Sequence, residues 1–190
     1  MKLKIILGLL LGVLNGVPDL FALSVDEAYK AIPHQQTTFN RSLSNAPARE
    51  KIFLSKIFSV TDQAMAARVD QLTALFYFKG QGDTKISSYN TKIGRLIGQI
   101  NSLSPPASLA KYHKLILGSI QEQKQFFNEW AQASTAQKEM FRKTYAKHPM
   151  VQSSHHKLLA AYNELMRLFP RENKRNQQAF FDHLCALDFL

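Results

Sequence analysis

Four long stretches of the chain place apolar residues at alternating steps of three and four, with proline or glycine at their ends. That period lays a seam along one face of a helix. A strand cannot bury such a seam, because its side chains alternate at every second residue. The first stretch opens at Pro47, whose fixed φ suits a first helical turn, and runs to about Phe78 before Gly80-Gln81-Gly82. Its seam is Phe53, Ile57, Val60, Ala64, Ala67, Gln71, Ala74 and Phe78. The second follows Asp83 and buries Ile86, Ile93, Ile97, Ile100 and Leu103. Ser104-Pro105-Pro106 breaks the chain and opens the third, with Leu109, His113, Ile116, Ile120, Gln123, Phe127 and Trp130 inward. His148-Pro149 opens the fourth, with Val151, His155, Leu158, Tyr162, Leu165 and Phe169 inward, and Pro170 ends it.

Composition agrees with the period. From Val25 onward there are 18 Ala and 16 Leu against 4 Val and 8 Thr, a helix-forming balance. Shorter helical pieces are expected at Glu27–Ile32, capped by Asp26 and ended by Pro33, at Gln137–Lys147 and at Glu172–Leu187. The expected fold is all-α: a single up-and-down bundle of four main helices with shorter additions. No internal repeat of 20–50 residues is present, and the helix lengths differ too much for a solenoid.

Residues 1–24 read as an address and not as fold. Lys2 and Lys4 precede an apolar run from Ile5 to Leu14, which is about half of what a membrane span needs. Ala22-Leu23-Ser24 suits a signal peptidase, with cleavage expected after Ser24 and Ala22 as second choice. The competing reading is an uncleaved apolar anchor. Export to a periplasm or to the cell exterior follows, with residues 25–190 as one domain. A single cysteine excludes a disulfide framework.

Chemistry-bearing residues are few. His113 and His155 fall on seam positions, where an imidazole needs a partner for its N–H. Counting outward from Pro170 places Cys185 level with His155 and His156, with Asp182 and His183 within about one turn. His155, His183, Cys185 and His113 are therefore the candidate ligands of a metal ion or a haem. Against this, no His-x-x-x-His or Glu-x-x-His pair exists. A Cys–His nucleophile is disfavoured, because the apolar run around Cys185 should silence its thiol. Phosphate-binding glycine loops, a Gly-x-Ser-x-Gly elbow and an EF-hand loop are absent, and no paired carboxylates stand out. A non-enzymatic protein is expected.

Charge points elsewhere. The chain carries 24 Lys and Arg against 14 Asp and Glu, a net +10. One cluster is Lys138, Arg142, Lys143 and Lys147; a second is Arg167, Arg171, Lys174 and Arg175. If the first packs near the last hairpin, the two merge into one basic face. Such a face suits an acidic protein, an anionic envelope component or an anionic membrane surface. Nucleic acid is not expected, since no binding motif accompanies the charge. The polar loop 33–46 is long for a helix connection and holds one isolated aromatic, Phe39, which should dock on the bundle or on a partner. Asn40-Arg41-Ser42 within it is a glycosylation sequon for a host with that pathway.

Overall fold

The computed structural model describes residues 37–76 and 86–188, and every regular element among them is helical. The expected leader, the short helix before Pro33, residues 33–36, Phe78 and the glycine stop after it lie outside the described residues.

Helix α1 spans Ala48–Phe76. Pro47 lends its carbonyl to the first turn, accepting from Lys51 N at 3.0 Å. Helix α2 spans Ile86–Ser102. The Pro105-Pro106 break leads through a 3-10 turn, Ala107–Leu109, into helix α3, Ala110–Gln132. Helix α4, Thr135–Thr144, begins with a capping box: Ser134 and Gln137 satisfy each other's backbone N–H. A second 3-10 turn, Tyr145–Lys147, precedes helix α5, Pro149–Leu168. There His148 is the N-cap, its Nδ1 accepting from Met150 N at 3.3 Å. Helix α6, Lys174–Leu187, is capped by Asn173, whose Oδ1 accepts from Asn176 N at 3.0 Å.

Polar pairs fix the helix directions. Lys111 meets Glu164 and, further along, Ser153 and Lys157 meet Glu122, so α3 and α5 run antiparallel. Phe58 packs on Phe180 and Asp62 bonds His183, so α1 and α6 run the same way. Helix α2 fills the gap between α1 and α3. The shared core includes Leu54, Ile57, Ile93, Ile100, Tyr112, Ile116, Phe126, Phe127, Trp130, Leu165 and Phe180.

Two seams are corrected. On α5 the buried residues are Val151, Ser154, Leu158, Ala161, Glu164 and Leu165, so His155 is not a core histidine and is exposed. The cause is a polar layer. Ser154 turns inward to bond Ser119 at 2.8 Å, and Gln123 Nε2 donates to Ser154 Oγ at 3.0 Å and to the carbonyl of Leu187 at 3.1 Å. On α3 the fully buried ring is Tyr112, while the neighbouring His113 is half-buried.

Residues 37–46 form a non-helical strap along α6, with a turn at 41–43. Asp182 accepts from Thr37 N at 2.9 Å. The Asn176 amide reads the main chain of Asn40 twice, accepting from its N at 2.8 Å and donating to its O at 3.0 Å. Phe39 docks on the helices as one of the two expected outcomes, 5.6 Å from Phe58 and 5.9 Å from Phe180.

Candidate anion interface

The chemistry at the surface is decided by where the carboxylates go. The described residues hold 19 Lys and Arg against 10 Asp and Glu. Those ten acids are buried or half-buried, with Asp70 and Glu139 open at 42% and 37% of their side chains, whereas thirteen of the bases are exposed. Each carboxylate instead accepts a hydrogen bond inside the molecule. Asp62 takes His183, Asp70 takes Lys92, Glu122 takes Ser153 and Lys157, and Glu129 takes Gln125. Glu139 takes Arg142, Asp182 takes Thr37 and Gln178, and Asp188 takes His155. The remaining three, Glu50, Glu164 and Glu172, lie at one end of the helices.

That end is built from segments far apart in sequence. Ser108 Oγ donates to Glu50 at 2.9 Å, joining the turn before α3 to the first turn of α1. Glu164, only 5% exposed, receives Arg167 Nη2 at 2.7 Å from its own helix and Lys111 Nζ at 3.1 Å from α3. Glu172, at the turn between α5 and α6, takes Ser44 Oγ from the strap and Asn45 N at 3.1 Å. Asn45 Nδ2 in turn donates to the carbonyl of Arg171 at 2.7 Å.

The exposed bases that result are Arg41 and Arg49 from the strap and α1, Lys111 and Lys114 from the start of α3, and Arg167, Arg171, Lys174 and Arg175 from the hairpin. The sequence foretold the hairpin four. The other four carry no local signal, because only the tertiary fold brings them there. An open cleft of about 370 Å³ lies among them, walled by Asn45, Pro47, Ser108, Leu168 and Arg171 and also by Glu50 and Glu172.

The other expected cluster does not merge with this one. It sits before α5, while Arg167 is in that helix's last turn, about 27 Å away along the axis at 1.5 Å per residue. It is also partly neutralised. Lys138 is buried with its Nζ 5.4 Å from the Trp130 ring centre, and Arg142 pairs with Glu139. Lys143 and Lys147 remain exposed there.

The candidate ligand set is dispersed. His113 Nε2 lies 2.8 Å from the carbonyl of Ile100. His183, buried, is stacked on Phe58 at 4.5 Å and bonded through Nδ1 to Asp62 at 2.7 Å on α1. His155 bonds Asp188 at 2.6 Å. Cys185 is exposed on α6, yet the protein packed around its thiol and then Asp188 and Asp182 push it up to about 12. A thiol held protonated at neutral pH is a poor ligand and a poor nucleophile. Among the described residues no group of three or more His, Cys, Asp or Glu side chains is placed to hold a metal ion.

A second buried cation is Arg68 on α1. It is fully buried, and that burial lowers its guanidinium to about 10 while Asp188, Tyr89 and Tyr145 oppose the fall. It stays charged at neutral pH, so it is a structural cation inside the fold.

Glu164 gives the basic end a pH signature. Its hydrogen bond from Arg167, aided by that from Lys111 and opposed by burial, holds its carboxyl down at about 2. A depressed carboxylate stabilises the fold above its ordinary value near 4.5, and that contribution disappears as pH falls toward 2. Glu164→Gln should lower stability at pH 7 by about 1 kcal/mol, or about 2–4 °C in Tm, because both partners are largely exposed. The difference from the parent should close between pH 4.5 and 2 in a series of thermal melts. A gap that persists at pH 2 contradicts the assignment.

No protein-family model, curated protein or solved structure matches this chain.

Proposed function

We propose that the chain is an exported, non-enzymatic helical bundle that binds an acidic protein or an anionic envelope component through its basic end. On this reading residues 1–24 are a cleaved signal peptide. Residues 25–190 form one up-and-down bundle acting in a periplasm or outside the cell. The observation that carries the reading is the sorting of charge: of thirteen exposed bases among the described residues eight stand at one end, where the acids Glu50, Glu164 and Glu172 are half-buried or buried. Potentials of one sign over a surface raise the local concentration of anionic partners and speed their capture. Glu164 and Glu172 serve as positioning residues that aim the cations outward and hold the strap in place.

The reading is tested with charge-matched reversals at the two ends. Arg171→Glu with Lys174→Glu should weaken retention on immobilised heparin by about tenfold at fixed salt. Lys143→Glu with Lys147→Glu, carrying the same change in net charge, should shift it only slightly. Equal losses from the two pairs would show that total charge, and not the basic end, is what the polyanion reads.

A further inference from the structure

We infer that the surface met by the basic end is an anionic lipid bilayer, touched peripherally, with Leu43 and Ile52 entering among the headgroups. This rests on the anion-binding reading above and adds its occupant.

Three observations single out a bilayer. First, large apolar side chains protrude among the cations. Leu43 is 55% exposed and Ile52 46%. Leu43 sits in the turn just after Arg41. That turn is braced by Asn40 Oδ1, which accepts from Ser42 N at 2.9 Å and from Leu43 N at 3.2 Å. The Leu43 carbonyl is held by Asn173 Nδ2 at 2.8 Å, beside Lys174, so the side chain is presented from a fixed backbone. Ile52 lies on the outer face of α1 at helical spacing between Arg49 and Lys56, both exposed. Apolar residues set among cations are the signature of a surface that meets anionic lipid.

Second, the exposed charged residues at this end are all cations. A folded acidic protein is recognised by a matched pattern of both signs, which fixes register and rejects wrong partners. The three acids at this end, Glu50, Glu164 and Glu172, are half-buried or buried and each already accepts a hydrogen bond, so they do not supply the negative half of such a pattern. A uniformly anionic sheet needs none.

Third, the cleft at this end is not a small-anion pocket. Glu50 and Glu172 stand in its walls, and Arg171 is its one basic lining residue. The cations lie around it, where a broad surface reaches them together. No described helix is long and apolar enough to cross a membrane, so the contact made by these elements is peripheral.

The test uses the full chain in co-sedimentation with vesicles of phosphatidylcholine alone and with 30% phosphatidylglycerol, beside retention on heparin. The parent should bind the anionic vesicles far better than the neutral ones, and added salt should release it. Leu43→Asn with Ile52→Asn should cut binding to anionic vesicles by about tenfold and leave heparin retention unchanged. Both sites are exposed, and an unchanged thermal melt verifies folding. Equal binding to neutral and anionic vesicles would overturn the inference, since apolar insertion without the cations gives that result. So would heparin retention without a preference for anionic vesicles, or an Asn variant that sediments like the parent; in those two cases the basic-end reading survives. Loss of both bindings in the parent removes both readings.

Discussion

Replacing Phe58 with Ala lowers stability by about 4 kcal/mol, the cost of emptying a fully packed aromatic site. Phe58 is 2% exposed and touches three rings on other elements. Phe39 meets it edge-on at 5.6 Å, Phe180 lies 6.0 Å away, and His183 stacks flat on it at 4.5 Å. The void therefore opens where the strap, α1 and α6 join. A loss of that size is a large part of the stability of an ordinary domain. Phe58→Leu keeps most of the volume and should cost about 1.5 kcal/mol or less. Urea unfolding measures both. If Ala and Leu cost the same small amount, the aromatic cluster is not what joins these elements.

Glu172→Ala has the second largest effect, and it acts on the strap. The carboxylate accepts from Ser44 Oγ, Asn45 N, Asn173 N and Nδ2, and Asn176 Nδ2, and the residue is 5% exposed. Removing it leaves several donors without a partner, at about 3 kcal/mol. Most of that falls on the attachment of residues 37–46 and less on the helices. The strap should open locally, and trypsin should cut after Arg41 many times faster than in the parent while the rest of the chain resists. An unchanged cutting rate at Arg41 would mean that Phe39 and Asn176 hold the strap without Glu172.

The helices were legible because proline punctuates them. Pro47, Pro105-Pro106, Pro149 and Pro170 each stand at or beside an observed helix boundary. The α5 seam holds at Val151, Leu158 and Leu165 and is off by one residue at 155 and 162, because the inward position at 154 is a serine. A small polar residue gives no hydrophobic signal, and its reason for facing inward, the Ser119 and Gln123 network, belongs to another helix. Part of the charge reading was recoverable from spacing alone. Glu139 stands three and four residues before Arg142 and Lys143, a separation that pairs side chains along a helix. The hairpin bases are local in sequence and were found. Arg41, Arg49, Lys111 and Lys114 were not, since they reach the same end through Asn45, Ser108 and Glu164 contacts that no window of sequence contains. The histidines failed to gather for a related reason. Spacing from Pro170 sets the level along the hairpin but not the direction around each helix: His183 faces α1 and His155 faces outward toward Asp188.

On the proposed reading one end of this molecule, and not its net charge, receives the anion. An amide spectrum of the isotope-labelled protein, recorded while a short heparin oligosaccharide is added, tests it most directly. Shifts are expected only at residues around 41–49, 108–114 and 167–175, all fading together as salt is raised. Shifts centred on 138–147, or spread evenly over every exposed lysine and arginine, would contradict it.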